Sequence, residues 1–390
     1  MDIEKFSKSS SGKIIKSGQG DAAYWSFIPN SLPPELVFDH ELIRALSDAD
    51  RSLGELAGLG RAMPNPHLLI RPFIHREAVL SSRIEGTQAD IAELYAYEAG
   101  QAPLAGKRAA APESDVKEVH NYVVAMEYGI KRMKTLPVSL RLMRELHEHL
   151  MKGVRGDHAT PGEFRRSQNW IGPAGCALNN ATYVPPPVSE MSACLDNFEK
   201  YIHADETYPP LVRIGLIHYQ FESIHPFIDG NGRIGRLLIS ILLSSWGLLP
   251  LPLLYLSAFF ERNRRIYYER LLDVSRRGAW KEWLLFFLEG VSEQSRDAIG
   301  RAKKLQDLQM AWRTKLKEQK RVTGLVLGIT EALFEKPVIS ATEVARKFKV
   351  SHQGAMKALQ GLEKLKILKL LEDKQRNRMY VAKDILKIME

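Results

Sequence analysis

His225-Pro-Phe-Ile-Asp-Gly-Asn-Gly-Arg-Ile-Gly-Arg236 is the stretch from which the rest of the chain can be interpreted. It lies between two segments in which apolar residues recur at helical spacing, residues 211–222 before it and a segment from Leu237 after it. Its proline, aspartate, asparagine and glycines are turn residues that break the helical pattern. The sequence therefore predicts a helix, a tight polar loop and a second helix that begins near Gly232 or Arg233.

The loop and the start of the second helix carry features that favour an anion. Gly230 and Gly232 let backbone N–H groups approach a ligand closely, and the N-terminus of a helix attracts negative charge. Arg233 and Arg236 are three residues apart, so both side chains can point to the same side of the helix. These residues predict a site for phosphate groups.

Two further side chains of the loop add a metal ligand and a base. Asp229 offers carboxylate oxygens, which suit Mg2+ beside phosphates. His225 titrates near neutral pH and can serve as a general base. The glycines also match the dinucleotide-binding spacing G-x-G-x-x-G, but no predicted strand precedes them, which argues against that class of site. Together the residues indicate phosphate-ester chemistry.

The stretch matches, at every fixed position, the signature H-P-F-x-[DE]-G-N-G-R-x-x-R of the Fic (Fic/Doc) family, which this chain resembles. The resemblance implies an all-α Fic fold with a small β-hairpin flap, N-terminal helices and a C-terminal winged helix-turn-helix. It also implies a protein adenylyltransferase, which transfers AMP from ATP to a Tyr, Thr or Ser hydroxyl of a protein and uses Mg2+. Self-modification is expected as well.

The same resemblance implies a role for each residue of the loop. His225 is expected to deprotonate the attacking hydroxyl, and Asp229 is expected to bind Mg2+ at the α- and β-phosphates. Phe227 is expected to anchor the loop in the core. The residues after the aspartate are expected to hold the ATP phosphates, and Arg236 is expected to hold the γ-phosphate. These residues are Gly230, Asn231, Gly232, Arg233 and Arg236.

A second motif of the family precedes this core. Ser81-x-x-x-Glu85-Gly86 matches the inhibitory pattern [ST]-x-x-x-E-[GN], whose glutamate reaches the second arginine of the loop, here Arg236, at the ATP site. A glycine inside a helix costs roughly 1 kcal/mol relative to alanine, so Gly86 within the helical run 74–97 indicates close approach of another segment. In related enzymes the same glutamate also supports removal of AMP, so both activities are expected.

Two tyrosines are the candidates for contacting the adenine base of ATP. Tyr267 and Tyr268 belong to an N-x-x-x-Y-Y pattern, and the similar pattern in the family lies near the nucleotide base. Aromatic residues on a helix also pack in the core, and this alternative stays open for both.

A turn-rich stretch before the loop is the candidate flap. Residues 169–171 and 181–184 are predicted to be its two short strands. In the family, the flap aligns the target peptide by strand addition. Ile171 and Val184 are the side chains expected to clamp the target protein.

The composition is that of an ordinary globular protein. The chain has 390 residues, of which 45% are apolar and 26% charged. No apolar run of about 18 residues is present, so no membrane partner is expected. The first residues are polar and lack the apolar region of a signal peptide. Cys176 and Cys194 do not suggest a disulfide framework, and we expect a cytoplasmic protein.

Basic charge is concentrated at the C-terminus. Residues 301–390 hold 21 Lys and Arg against 10 Asp and Glu, a formal balance of +11, whereas the first 300 residues balance at −2. A capped helix at 339–348, a second helix to about 365 and alternating residues beyond it resemble a winged helix-turn-helix. Residues 374–378 are its predicted basic wing. DNA is therefore a candidate partner, with a protein contact as the alternative.

The predicted domain organisation has five parts. They are an N-terminal tail at 1–35, a helical region with the inhibitory helix at 36–112, the Fic core at 113–290, a linker helix at 291–322 and the winged-helix domain at 323–390. Two other functions stay open: a DNA-binding transcription regulator that senses nucleotide, and a Doc-like phosphotransferase. The target protein is not predicted, and a homodimer is one of the oligomeric states that the resemblance allows.

Overall fold

The computed structural model describes residues 1–20, 23–62, 67–99, 111–154, 160–204, 208–319, 322–371 and 378–390. Within them the chain is mostly helical. The α-helices are α1 His40–Ala62, α2 His67–Ile84, α3 Ile91–Glu98, α4 Glu113–Arg132, α5 Leu140–Met151, α6 Val188–His203, α7 Pro210–Ile224, α8 Asn231–Ser245, α9 Ser257–Arg262, α10 Arg264–Arg277, α11 Trp280–Lys317, α12 Gly324–Glu335, α13 Ala341–Phe348, α14 His352–Lys364 and α15 Lys383–Met389. The strands are β1 Gly12–Ser17, β2 Tyr24–Pro29, β3 Val338–Ser340, β4 Lys369–Leu370 and β5 Met379–Val381.

The chain divides into two units. The first consists of residues 1–55 and 121–295, and the second of residues 56–120 and 296–390. The divisions fall inside α1, α4 and α11. None of the helices in the described ranges combines the length and the apolar composition that a bilayer crossing requires.

Helices α7 and α8 form the centre of the first unit. Most residues of both helices are apolar and nearly all are buried, as expected for helices in the interior of a domain. Gly215 lets α7 approach α11, because an added Cβ would lie 3.1 Å from side-chain atoms of both Leu284 and Phe287. The predicted order of helix, loop and helix is confirmed, and α8 begins at Asn231, one residue before the predicted start.

Residues 3–5, 12–17 and 24–29 form secondary structure, so the prediction of a tail at 1–35 is wrong. Strands β1 and β2 form an antiparallel hairpin in which Gly12 pairs with Pro29 and Ser17 with Tyr24. Phe27 of β2 is fully buried against Phe6 and Tyr183. Burial of these aromatic rings stabilises the segment. The sequence of β1, Gly-Lys-Ile-Ile-Lys-Ser, does not alternate apolar and polar residues, so no strand was predicted there.

In the second unit, α12 and α15 pack against α2, and α13 packs against α14. A three-stranded antiparallel sheet has the order β3-β5-β4, in which Tyr380 of β5 pairs with Ile339 and Leu370. Ser340 caps α13 and Ser351 caps α14 with their hydroxyl oxygens. The predicted helices and strands are therefore present. Residues 374–377 of the predicted wing lie outside the described residues, and the winged helix stays a prediction.

Pro72 lies inside α2, where its ring removes one backbone hydrogen bond without ending the helix. The predicted linker helix at 291–322 belongs to a longer continuous helix, α11, which begins at Trp280 and ends at Lys317. Gly290 lies inside α11 and lets this helix approach α9, because an added Cβ would lie 2.8 Å from the Phe259 ring.

Candidate active site

The loop between α7 and α8 is shaped by two residues in the left-handed backbone region. His225 follows α7 with a φ of 50°, and its N–H donates to the Phe221 carbonyl at 3.0 Å. Gly230 precedes α8 with a φ of 79°, and an added Cβ would lie 3.1 Å from the Met151 sulfur. Glycine is thus required at position 230 for its backbone angle and for close packing.

The last turn of α7 orients the His225 ring. Its Nδ1 lies 3.2 Å from the Glu222 carbonyl oxygen. A carbonyl can only accept, so Nδ1 carries the proton of this hydrogen bond, and the neutral ring has its lone pair on Nε2. The side chain is half-buried. This tautomer makes His225 suited to accept a proton at Nε2.

Phe227 anchors the middle of the loop, as predicted. Its ring is fully buried and stacks on His147, with 3.8 Å between ring centroids. The Gly162 N–H donates to Nδ1 of His147 at 2.9 Å, and Nε2 donates to the Asp229 carbonyl at 3.0 Å. Burial, together with the charge of Arg233, lowers the pKa of His147 to about 4, so this ring is neutral at physiological pH.

Two side chains at the start of the predicted flap segment bind the same loop. Arg165 donates from Nε to the His225 carbonyl at 3.0 Å, and its terminal nitrogens donate to two further carbonyls. Asn169 donates from Nδ2 to the carbonyls of His225 at 3.2 Å and Phe227 at 2.8 Å. Burial lowers the pKa of Arg165 to about 10, which leaves it charged at neutral pH. Neither residue was predicted to contact the loop.

Asn231, the first residue of α8, closes the loop on itself. Its Oδ1 accepts from the Phe227 N–H and its Nδ2 donates to the Phe227 carbonyl, both at 2.8 Å. The side chain is buried. Its polar atoms therefore shape the loop. The phosphate contact at Asn231 stays a prediction, for which the backbone N–H is the available donor.

Asp229 is the exposed carboxylate of the loop. Its side chain is 53% exposed, and Oδ1 accepts from the Gly230 N–H at 2.6 Å and lies 3.8 Å from Arg233. Among the described residues, no group of three or more His, Cys, Asp or Glu side chains is arranged to hold a metal ion. A metal at Asp229 would take most of its oxygen ligands from other molecules, as Mg2+ beside phosphates and water does.

Two arginines lie buried in the first turns of α8. Arg233 is 3% exposed and Arg236 is 2% exposed. The first turn of α8, which includes Gly232, contains no acidic residue. The helix dipole adds positive potential at the same end, so this part of the site favours an anion.

The two candidate tyrosines of α10 have different environments. Tyr267 is 1% exposed, its hydroxyl lies 2.8 Å from Nε2 of His218, and its ring stacks on Phe260. Burial lowers the pKa of His218 to about 3, so that ring is neutral. Tyr268 is 41% exposed, with the guanidinium of Arg264 over its ring. Tyr267 is thus a core residue, and of the two only Tyr268 offers an accessible ring.

The predicted flap contains a single bridge instead of two strands. Ile171 pairs with Tyr183 in an isolated antiparallel bridge, and residues 178–180 form a 3-10 helix. Ile171 is 38% exposed, whereas Val184 is fully buried and its carbonyl accepts from the Phe27 N–H. The clamping role expected of Val184 is therefore wrong, because its side chain lies in the interior.

The predicted inhibitory motif lies at the end of α2 in the second unit. Ser81 is buried on α2, and Glu85 is exposed just after it. Gly86 has a φ of 100°, its N–H donates to the Arg83 carbonyl, and the next N–H donates to the Ser82 carbonyl. These two bonds form a Schellman motif. Gly86 is therefore required for its backbone angle, and the predicted close approach is wrong, because among the described residues nothing lies within 4 Å of an added Cβ.

Comparison with known proteins identifies two family models in this chain. The model of the Fic/DOC family N-terminal domain matches residues 43–131, and the model of the Fic/DOC family matches residues 137–243. The second match includes the whole loop at 225–236, all of α7, and α8 up to residue 243.

Two curated relatives and one solved structure are similar to this chain. It is 27% identical over 177 residues to the protein adenylyltransferase Fic of Drosophila erecta, which covers 44% of this chain and 32% of that relative. The protein of the same name from Drosophila grimshawi is 28% identical over 44% of this chain and 33% of its own length. The matched region thus spans about a third of the length of these relatives. A Fic family protein from Desulfovibrio desulfuricans G20 has a similar fold, with a TM-score of 0.57 and 18% identity over 90% of this chain and 98% of its own.

Proposed function

Because this chain contains the N-terminal and core domains of the Fic/DOC family, we propose that it is a protein adenylyltransferase, which transfers AMP from ATP to a hydroxyl side chain of a protein. The observation that carries the proposal is the loop at 225–236. It places a half-buried histidine with its lone pair on Nε2 next to a helix N-terminus that holds two buried arginines.

His225 acts as the general base. Its Nε2 takes the proton of the target hydroxyl as that oxygen forms a bond to the α-phosphorus of ATP. The bond between the α-phosphorus and the bridging oxygen breaks, and pyrophosphate leaves. The hydrogen bond from Nδ1 to the Glu222 carbonyl stabilises the protonated ring, because Nδ1 remains a donor throughout.

The first turns of α8 bind the phosphates. Backbone N–H groups of Asn231 and Gly232 and the guanidinium of Arg233 hold the α- and β-phosphates, and Arg236 holds the γ-phosphate. Both arginines are nearly inaccessible to water, so their charges act on the ligand with little screening. Tyr268 is the exposed ring on which the adenine base stacks.

Asp229 fits a Mg2+ ion held mainly by the nucleotide. One half-exposed carboxylate with no cluster of further ligands suits a metal whose remaining oxygens come from phosphates and water. When bound, Mg2+ neutralises charge on the phosphates. Asp229 is fixed for this purpose by the Gly230 N–H, which holds one of its oxygens at 2.6 Å.

The flap presents the target. Ile171 is exposed on the segment that bridges to Tyr183, and an extended peptide of the target protein can add to this segment by backbone hydrogen bonds. An exposed hydroxyl of the target, or of a second copy of this chain in self-modification, then reaches His225.

Glu85 restrains transfer through Arg236, a role carried over from the motif, and it also supports removal of AMP.

Labelled ATP tests this function. The full-length chain is incubated with ATP labelled at the α- or the γ-phosphate and Mg2+, and modified proteins are identified by mass spectrometry. We expect label from the α-phosphate only, none with His225→Ala, and unchanged transfer with His40→Ala, an exposed histidine used as the control. Label from the γ-phosphate alone would instead support a Doc-like phosphotransferase, and ATP binding without any transfer would support a nucleotide sensor.

We also propose that the C-terminal segment binds nucleic acid. The exposed side of α14 carries Gln353, Lys357, Gln360 and Lys364 at helical spacing and no acidic residue, while its opposite side is buried. Amide and lysine side chains on one face of a helix suit base edges and phosphates. The balance of +11 in residues 301–390 supports the same function.

A further inference from the structure

The carbonyl groups of the His225 loop are bound by side chains outside the loop. Arg165 binds the His225 carbonyl, Asn169 binds the carbonyls of His225 and Phe227, and His147 binds that of Asp229. The backbone N–H of Arg165 also donates to the carbonyl of residue 226 at 2.8 Å. The path of the loop is therefore fixed from outside at nearly every residue.

Arg165 and Asn169 stand out because both contact the carbonyl of His225 itself. Arg165 is 1% exposed and Asn169 is 8% exposed, so neither bond competes with bulk water. His225 has a φ of 50°, a conformation that costs free energy for a residue with a side chain. Two donors on one carbonyl hold that peptide group in the orientation that this conformation requires.

The same short segment continues into the flap. Asn169 is two residues before Ile171, whose backbone forms the bridge to Tyr183. Trp170 thus connects Asn169, whose side chain fixes the loop, to Ile171, whose backbone would receive the target. Such a connection sets the distance between the base and the segment on which a target peptide would lie.

We propose that Arg165 and Asn169 are positioning residues, which hold the backbone of His225 so that its Nε2 meets the hydroxyl presented by the flap. This inference rests on the proposed adenylyl transfer. Neither side chain contacts the reacting atoms, and both act through the His225 carbonyl. Small misplacement of a reacting group costs about 100-fold in rate, so the proposal predicts losses in kcat of that size.

The test compares Arg165→Lys and Asn169→Ala with Arg166→Ala in the full-length chain. Arg166 is the matched control, because its side chain is 84% exposed and pairs only with Glu163 among the described residues. Two readouts are measured: kcat and KM for ATP in self-modification, and the NMR signal of the His225 ring, assigned by its loss in His225→Ala. The NMR signal reports ring position without requiring any activity.

We expect kcat to fall about 100-fold in Arg165→Lys and Asn169→Ala, with KM for ATP changed less than about twofold, and the His225 signal to shift in both. Arg166→Ala should match the wild type in both readouts. An unshifted His225 signal in the two variants, or an equal shift in the control, overturns the proposal. Asn169→Ala removes one amide donor and gives a decisive result even if the Arg165 variant does not fold. If the wild type shows no AMP transfer, the proposed function is refuted. The positioning role is then still decided by the NMR comparison.

Discussion

The ring of His147 lies flat on the ring of Phe227, with centroids 3.8 Å apart and an angle of 7° between the planes. Hydrogen bonds to Gly162 and Asp229 use both ring nitrogens. Nδ1 accepts and Nε2 donates, so the neutral ring makes both hydrogen bonds. A proton on Nδ1 would disrupt the bond from the Gly162 N–H. His147 thus supports the candidate site through its neutral form.

This arrangement predicts a loss of stability at acid pH. The pKa of His147 is about 4 in the folded chain, below the ordinary value of 6.5, so the unfolded chain binds the proton first. Stability is full above pH 6.5 and falls by up to about 3 kcal/mol as the pH drops toward 4. Denaturant unfolding at pH 7 and pH 5 measures this. His147→Gln, which keeps a donor and an acceptor, should reduce the pH dependence.

His218 provides the internal control for that experiment. Burial lowers its pKa to about 3, so it contributes a similar dependence that His147→Gln leaves in place. Near pH 5 the two histidines should account for about two protons taken up on unfolding in the wild type, and about one in the variant. Equal proton uptake by both chains would show that His147 is protonated in the fold.

Gly230 and Gly247 offer a second test. Both have positive φ, 79° and 70°, but only at Gly230 would an added Cβ meet neighbours, the Met151 sulfur at 3.1 Å among them. Gly247→Ala should cost about 1–2 kcal/mol of unfolding free energy from the backbone alone. Gly230→Ala should cost more, because Met151 must move, and it should also reduce AMP transfer. Thermal and chemical unfolding measure the difference, and equal costs would contradict the crowding at Gly230.

The sequence alone was sufficient to predict those parts of the site that lie within one continuous stretch. The loop, its flanking helices and the burial of Phe227 follow from local pattern and from the family signature. The contacts of His147, Arg165 and Asn169 could not be predicted, because each joins residues roughly 60 to 80 positions apart. In the sequence they are an ordinary helical histidine and two polar residues of a turn-rich stretch. Only the fold brings them to the loop carbonyls.

Other predictions were wrong or left open because the sequence around a single residue fitted more than one structural interpretation. Gly86 was interpreted as a glycine inside a helix, but its positive φ ends α2 in a Schellman motif, which helical spacing alone does not reveal. Tyr267 and Tyr268 are adjacent in sequence and point to different environments, because neighbouring residues of a helix lie on different faces. Exposure in the fold was needed to distinguish them.

That difference predicts distinct effects for the two tyrosines. Tyr268→Ala should raise the KM for ATP several-fold with little change in stability, since its ring is 41% exposed and base stacking contributes about 1–3 kcal/mol. Tyr267→Phe should lower stability by about 1 kcal/mol, because His218 loses its hydroxyl partner, and should leave the KM nearly unchanged. ATP titrations and unfolding curves measure both. The reverse pattern would assign the base contact to Tyr267.

The lysines of α14 should dominate nucleic-acid binding. Replacing Lys357 and Lys364 by alanine should weaken binding of a duplex to the full-length chain and reduce the slope of log affinity against log salt by about two. Anisotropy titrations at several salt concentrations measure the slope. Arg51→Ala removes an exposed arginine of α1 and serves as the control. Equal slopes in all chains would favour a protein contact for this segment.

Glu85 should restrain AMP transfer, and its side chain can be removed without changing the hydrogen bonds that end α2. The end of α2 is fixed by backbone bonds from residues 85, 86 and 87, none of which uses the Glu85 side chain. Glu85→Gly therefore removes a carboxylate without removing the bonds that end the helix. A shift of only about 1.4 kcal/mol toward the reactive pose of ATP raises the rate tenfold.

We expect Glu85→Gly to increase self-modification about tenfold or more, with Arg83→Ala, an exposed neighbour on α2, as the control. The double variant Glu85→Gly with Arg236→Ala should lose most of the gain, because the released arginine is the group that binds the γ-phosphate. Incorporation of α-labelled AMP over time measures the rates. Unchanged transfer in Glu85→Gly with intact ATP binding would show that residues 81–86 are an ordinary helix end without an inhibitory role.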